Sequence, residues 1–545
     1  MNLIDFDCNF YGRRDVLDIL KKRAMGLKEG YRQNVALLGD RYIGKTSLLY
    51  RLMSQMDDPD VLFVYLDLEG RDFNYFCIQF IKSLLYNYLK KKSLPLHEDL
   101  KLLCQESRSS IPRTVFLVDA LEALRAQGKT FEAYHMLLSL PEIFSQETGK
   151  SLVLIFDEFS ALENFQIPEV FAELGKRIMT QKNCLYIVAS SLRAKAEGIL
   201  AEKLSLLFGN FEVLVLDSFS FSEAQGLIDH NLNGVKIGLH LKNFIADFCF
   251  GHLLYMNILC QVLIYLSGVY AQQEIYAPLV TNAIENLIFN RWGIISRHFE
   301  LGIHELTISK SASLTMSILG ALAQGKHKIG ELVEGLQVKS SQVVLRMSAL
   351  QDANIVERNG NYYHIKDKLF SYWIKYVYKR RTQVIDVEQG LPRKQFKEEL
   401  GRALNDFSVV ARRDLSVRVS DLMHKFDNES FVLCGRRYKL NAFRDIKILK
   451  LRIGTGNFFD AISADSPEGG WLVVLKKDPV QERDLNGILD EIKKLEPKPL
   501  RCVILSLNGL DENARVRALQ EKLWVWDENQ LNCLMHLFDE PIIVR

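Results

Sequence analysis

The nine residues GDRYIGKTS, Gly39–Ser47, fit the spacing GxxxxGK[ST] at every specified position. Ahead of them NVALL, residues 34–38, is an apolar run short enough for a buried strand. Behind them SLLYRLMSQM places Leu48, Leu49, Leu52 and Met53 on one helical face. In a strand–loop–helix setting, successive backbone N–H groups of such a loop turn inward and form an anion nest, reinforced by the helix N-terminus. The expected cradle comprises Gly39, Asp40, Arg41, Tyr42, Ile43, Gly44, Lys45, Thr46 and Ser47. Gly44 lets the backbone approach phosphates, Lys45 reaches the β- and γ-phosphates, and the Thr46 hydroxyl is placed for Mg²⁺.

A second half of this site is expected at SLVLIFDEFS, residues 151–160. It is a continuous apolar strand ending in paired carboxylates, and open α/β sheets bind ligands at the carboxyl ends of their strands. Asp157 would hold the metal and Glu158 would orient the attacking water. The competing reading, a strand running out into a turn with two solvated acids, loses weight beside an intact phosphate loop. CLYIVASS, residues 184–191, is a further buried strand, and Ser190 or Ser191 at its end could hydrogen-bond the γ-phosphate or the water. Arg193 could reach phosphate in the same chain or in a neighbour. Arg13 and Arg14, before the first helix, are read either as packing near a nucleotide base or as solvated.

At 545 residues the chain is long enough for two to four domains. Its 48% hydrophobic and 25% charged content is that of a folded protein. Lys plus Arg (69) nearly balance Asp plus Glu (67), which argues against a strongly basic nucleic-acid sleeve. The nine cysteines are scattered with no CxxC pair, so reduced thiols in a cytoplasmic protein are expected and no zinc site is visible. The start, MNLIDFDCNFYGRR, does not read as a signal peptide. Residues 253–271 are apolar enough to test as a membrane span, but Asn257 and Gln261 interrupt them and a buried helix is the preferred reading.

Strand candidates at 61–68 and 211–220 join those named above, alternating with helices. That pattern means a parallel sheet covered on both faces, with the P-loop core over residues 1–220. Residues 89–114 read as less regular, an insertion, before one helical stretch at 118–138. Residues 221–305 turn helical, a candidate lid. Over 306–385, three helical segments precede NIVERNGNYYHIK, two short strands around Asn359-Gly360: a winged helix. A linker-like TQVIDVEQGLPR leads to a separate C-terminal α/β domain, 393–545, with strand candidates at 431–435, 471–476, 502–507 and 523–526.

The order FYGRRDVLDIL, GDRYIGKTS, VLIFDEFS, YIVASS, VLVLDSFSFSEA, a helical lid and a winged helix resembles the archaeal-type ATPase family, STAND-like relatives of the AAA+ ATPases. The resemblance spans about residues 8–380 and ends on Asp367, Phe370 and Trp373 after the wing. It implies ATP as the nucleotide, Mg²⁺ as the metal, Asp157 and Glu158 as metal and water carboxylates, and Ser190 or Ser191 as the sensor hydroxyl. Two departures stand out. The proline of the family's LxPLS-type segment is missing from LDSFSFSEA, and Leu253 stands where the lid helix would carry a proline, two residues after Gly251.

Tails of such proteins often resemble the restriction-endonuclease fold, in which an aspartate and an ExK motif assemble around a metal. Here Asp460 and Lys476 fall at those places, but the glutamate position is Val474, which cannot hold a divalent cation. Glu398 or Glu399 would have to compensate, so nuclease activity is not expected. The reading is therefore an ATP-binding, Mg²⁺-dependent ATPase working as a nucleotide-controlled switch, with a protein partner or self-association. The alternatives are a nucleotide-binding scaffold with little turnover, or an ATP-regulated DNA-binding protein. For the last, the third winged-helix segment offers only Lys339, Gln342 and Arg346, so DNA contact there is not favoured.

Overall fold

The computed structural model describes residues 10–204, 211–307, 312–378, 390–433, 436–453, 457–538 and 540–542. The start of the chain at 1–9, most of the linker-like segment and the end of the 431–435 strand candidate lie outside the described residues. The chain divides into two compact units, Met1–Asn231 with Gly251–Asn257, and Leu232–Phe250 with Ile258–Arg545.

The first unit is built on five parallel strands: β1 (Asn34–Gly39), β2 (Val61–Asp67), β3 (Ser151–Asp157), β4 (Cys184–Ser190) and β5 (Phe211–Leu216). Their order across the sheet is β2-β3-β4-β1-β5. Both faces are apolar because both are covered. One face packs on α1 (Arg14–Gly26) and α2 (Lys45–Gln55) through Leu17, Leu20, Leu48, Leu49 and Leu52. The other packs on α3 (Phe73–Lys91), α4 (Leu100–Arg108), α5 (Pro112–Ala126), α6 (Thr130–Thr148) and α7 (Val170–Thr180), with Phe76, Phe80, Phe144 and Phe156 at its centre. The short α8 (Arg193–Gly198) follows β4, and α9 (Phe221–Leu232) follows β5.

Residues 89–114 are not irregular, contrary to the sequence expectation. They carry the end of α3, all of α4 and the start of α5. The signals are local: Asp99 caps α4 by accepting from the N–H groups of Lys101 and Leu102, and Pro112 opens α5 where no N–H is required. The helical stretch at 118–138 is two helices, parted at Gln127–Lys129.

In the second unit, α10 (Leu239–Phe248), α11 (Leu253–Val269, whose first turn belongs to the first unit), α12 (Ala277–Phe289) and α13 (Ile294–Thr307) are accompanied by a two-residue strand pair, β6 (Lys236–Ile237) and β7 (Glu274–Ile275). Among the described residues no helix is long and apolar enough to cross a membrane. Three helices, α14 (Ala312–Leu322), α15 (Ile329–Leu336) and α16 (Ser340–Asp352), are followed by the hairpin β8 (Val356–Asn359) and β9 (Tyr362–Ile365), the element order expected of a winged helix and its wing. After α17 (Lys368–Trp373), the helix α18 (Gly390–Ala411) packs Phe396 on Phe289 and Phe407 on Phe244.

Next come α19 (Leu415–Met423), the hairpin β10 (Ser430–Leu433) and β11 (Arg436–Lys439), and a five-stranded sheet. In that sheet β12 (Asp445–Ile453), β13 (Asn457–Ser466) and β14 (Gly469–Lys476) are antiparallel, while β15 (Arg501–Ser506) and β16 (Trp524–Trp526) continue parallel to β14. The helices α20 (Glu482–Lys494), α21 (Glu512–Gln520) and α22 (Glu528–Leu537) complete it.

The wing is fastened to the β10–β11 hairpin. The Asn359 side chain donates to the Val432 carbonyl (3.0 Å) and accepts from the Val432 N–H (2.7 Å), imitating a strand pair. Asn361 donates to Glu429 (2.6 Å), while Lys328 and Tyr362 both engage Asp427. Gly360 is in the left-handed region (φ 64°), and a Cβ there would stand 2.1 Å from the Ser430 carbonyl oxygen.

Candidate functional site

At the carboxyl edge of the first sheet the chain brings together residues from α2, β2, β3 and β4. Register places Asp67 beside Asp157 and Leu38 beside Ser190, so the phosphate loop, the carboxylates and the serines end at one level. The Thr46 hydroxyl donates to Asp157 Oδ2 at 2.6 Å, although 111 residues separate them. Asp157 is 3% exposed, and its Oδ1 accepts the Glu158 N–H at 3.1 Å.

Lys45 is buried, donates to the Gly39 and Asp40 carbonyls (2.8 and 2.9 Å), and stands 4.0 Å from Glu158 Oε1. Burial lowers its pKa, and the charges of Glu158 and Asp157 oppose that shift. Burial raises the pKa of Glu158, opposed by the Ser191 N–H and by Lys45. Both carboxylate bonds of Glu158 to Ser191, from N–H (2.9 Å) and from the hydroxyl (3.0 Å), go to Oε2. The Ser190 hydroxyl is within 3.2 Å of the Ser160 hydroxyl and accepts the Leu192 N–H, so Ser190 braces the turn while Ser191 touches the acid.

The backbone of the loop is bent where its chemistry requires it. Gly44 has φ 103°, and a Cβ there would meet Leu253 Cδ2 at 2.9 Å. Tyr42 and Glu158, which are not glycines, also adopt positive φ (61° and 53°). Leu253 therefore lies over the loop. Its neighbour His252 bonds the Arg41 carbonyl through Nε2 (3.2 Å) and stacks on Tyr255. Gly251 clasps the segment after β5, accepting the Phe219 N–H at 3.0 Å.

Arg41 pairs with Glu69, Tyr42 is exposed, Ile43 is buried in the core and Ser47 is partly exposed on α2. Two expected residues have partners other than Asp157 and Glu158. Arg193 pairs with Glu197 one turn along α8 (2.8 Å). The Arg13 guanidinium lies 4.3 Å over the Phe219 ring and donates to the Asp217 carbonyl. Burial lowers its pKa, and Glu223 and Asp217 oppose this.

Sequence reasoning passed over Tyr65. It sits in β2 two residues before Asp67, and its hydroxyl donates to Asp157 Oδ2 at 2.9 Å. The one available signal was a hydroxyl-bearing aromatic in an otherwise apolar strand.

The nuclease-like constellation in the C-terminal sheet does not assemble. Asp460 is registered with Leu475 and Ala461 with Val474, so side-chain alternation puts Asp460 on one face and Val474 and Lys476 on the other. Val474 is 1% exposed among Val480, Leu485 and Ile488, and Lys476 is tied to Asp484. Glu399 is held by Lys375 at 2.8 Å. The described cysteines are free thiols, and no group of three or more His, Cys, Asp or Glu side chains among the described residues could hold a metal.

Neither a protein-family model nor a curated protein matches this sequence. Among solved structures the chain is similar to the Walker-type ATPase of Pyrococcus abyssi, at 16% identity over 67% of this chain and 96% of that one, with a TM-score of 0.45. It is also similar to the ORC2 protein of Aeropyrum pernix, solved as ADPNP–ADP complexes, at 14% identity over 73% and 97%, TM-score 0.43. The RuvB Holliday junction branch migration motor of Thermotoga maritima matches at 14% identity over 67% and 95%, TM-score 0.33.

Proposed function

We propose that this protein binds ATP with Mg²⁺ at the Gly39–Ser47 loop, hydrolyses it, and uses nucleotide state as a switch. The observation that carries the reading is the convergence of Thr46 on Asp157 and of Lys45 on Glu158 at the carboxyl edge of a parallel sheet. The Thr46 and Asp157 oxygens fit Mg²⁺, a hard cation commonly held by one or two protein oxygens, with waters and substrate phosphates completing its shell. The Thr46 hydroxyl donates its hydrogen bond to Asp157 and keeps its oxygen lone pairs for the cation. When bound, the ion supplies charge neutralisation on the β- and γ-phosphates.

Lys45 would exchange the Gly39 and Asp40 carbonyls for phosphate oxygens, and the loop N–H groups would steady the charge developing on the transferred group. Glu158 would orient the attacking water, with Ser191 setting the position of its carboxylate. Arg13 against Phe219 is proposed as the edge of a base pocket, and Arg193 as a residue that would leave Glu197 to reach the phosphate. The finer assignment to STAND-like ATPases, the lid over 221–305, the winged helix over 306–385 and an endonuclease-like but inactive 393–545 region belong to the same proposal.

The scaffold reading is favoured by one observation, the two hydrogen bonds from Ser191 that hold Glu158. A DNA-reading role is disfavoured by the wing tip's bonds to Val432 and by Val344 and Leu345, which are 50% and 61% exposed on α16. The deciding experiment is ATP turnover of the intact protein beside Lys45→Ala and Glu158→Gln, with and without duplex DNA. Turnover unchanged in both variants removes the proposed site; nucleotide binding without wild-type turnover selects the scaffold; stimulation by DNA restores the third reading.

A further inference from the structure

We infer that Tyr65 is a positioning residue for Asp157, holding that carboxylate in the orientation a nucleotide-bound Mg²⁺ requires; this rests on the ATP site proposed above. Asp157 Oδ2 accepts two hydrogen bonds from hydroxyls, Thr46 at 2.6 Å and Tyr65 at 2.9 Å, while Oδ1 accepts one from the Glu158 N–H. Three donors on two oxygens fix both the side-chain torsion and the plane of a buried carboxylate.

The register explains how Tyr65 arrives there. β2 runs parallel to β3 with Tyr65 beside Ile155 and Asp67 beside Asp157, so Tyr65 shares the α2-facing side of the sheet and leans along the strand to Asp157. Tyr50 of α2 backs it, with ring centroids 4.9 Å apart at 40°. Thr46 and Tyr50 are four residues apart and share one face of α2. The four side chains therefore close a circuit, from Thr46 to Asp157 to Tyr65 to Tyr50 and back along the helix that begins at the phosphate loop. A carboxylate can only accept, so in the 2.9 Å contact the phenol is the donor.

A partner that orients a metal-holding residue affects metal affinity without touching the nucleotide; loss of such partners commonly costs about 10- to 100-fold in metal binding. The test is equilibrium binding of a fluorescent ADP to the full-length protein in EDTA and across a Mg²⁺ titration, for wild type, Tyr65→Phe and Tyr50→Phe, with thermal melts alongside. The expected result is a metal-free affinity for Tyr65→Phe within about twofold of wild type, with the Mg²⁺ needed for half-maximal tightening raised about tenfold. Tyr50→Phe, which leaves the Asp157 bond in place, should shift it by less. A Mg²⁺ response in Tyr65→Phe equal to wild type overturns the inference and leaves the ATP site standing. So does an equal loss of affinity with and without the metal, which would make Tyr65 structural. A wild-type protein that binds no nucleotide overturns the ATP site itself, and the inference with it.

Discussion

Ser191 gives both its N–H and its hydroxyl to a single oxygen of Glu158, at 2.9 and 3.0 Å. The acid proposed to orient water is thus held by the end of the neighbouring strand, one residue beyond β4. Replacing the hydroxyl removes one of the two bonds and leaves the backbone donor. A hydrogen bond to a charged group contributes about 1.5–3 kcal/mol. Because Ser191 sets the position of the Glu158 carboxylate in the proposed site, Ser191→Ala should lower steady-state ATP turnover by about tenfold, with the Kd for nucleotide unchanged. A rise in turnover would show instead that the bond restrains Glu158, as the scaffold reading has it.

Lys45→Ala removes the one ammonium within the loop, which is only 5% exposed. Charge-assisted contacts to phosphate contribute about 1.5–3 kcal/mol, so nucleotide affinity should fall about 10- to 100-fold. Titration with a fluorescent ATP analogue measures this, and a loss below threefold would contradict the assigned role of Lys45.

Gly251→Ala should destabilise the protein more than Gly44→Ala. Both glycines have positive φ, 63° and 103°. A Cβ at Gly251 would lie 2.2 Å from the Phe219 carbonyl oxygen, which is backbone in a hydrogen-bonded clasp, whereas at Gly44 the obstacle is the movable Leu253 Cδ2. Backbone strain at such φ costs about 1–2 kcal/mol in either case, and the steric clash adds to it at Gly251. Urea unfolding curves of the two variants rank them, and Leu253→Ala should partly rescue Gly44→Ala but not Gly251→Ala.

Asn359→Ala should loosen the wing from the β10–β11 hairpin. It deletes two hydrogen bonds to Val432, a loss of about 1–3 kcal/mol. Hydrogen exchange should quicken at Val432 and its neighbours, while exchange in the β1–β5 sheet stays as in wild type. Equal protection at Val432 in the variant would show that Asp427 and Glu429 alone maintain the joint.

Val474→Glu should not create a nuclease. The new carboxylate would be buried in an apolar cluster, and Asp460 would face the opposite side of the sheet. Burying an unpaired charge at this position should destabilise the chain by at least about 3 kcal/mol. Plasmid cleavage with Mg²⁺ or Mn²⁺ beside a thermal melt checks both halves, and metal-dependent cleavage would mean that β13 and β14 pair differently.

Local signals made much of this protein legible without coordinates. The apolar run into Gly39, the amphipathic α2 and the strand ending at Asp157 are short-range patterns of burial and period. The wing hairpin was equally legible, but its two-residue turn is Gly360-Asn361, one position later than the Asn359-Gly360 turn expected, because Asn359 pairs with Tyr362 as the last residue of β8 and Gly360 takes the positive φ. Residues 89–114 hid their helices although Asp99 and Pro112 mark two helix starts, since the buried face of α4 is short, Leu103, Cys104 and the polar Ser107, among charged and polar neighbours.

What the sequence by itself determined is which segments are strand, loop and helix around Gly39–Ser47, and which residue types are available there. Only the tertiary structure decided their meetings. Strand order and register put Tyr65 on Asp157 and Ser191 on Glu158 and set Asp460 and Lys476 on opposite faces, while the Phe219–Gly251 clasp brings Leu253 over Gly44. The reason is physical: a strand's own residues specify alternation, but which neighbour it pairs with, and in which register, depends on cores formed by residues distant in the chain.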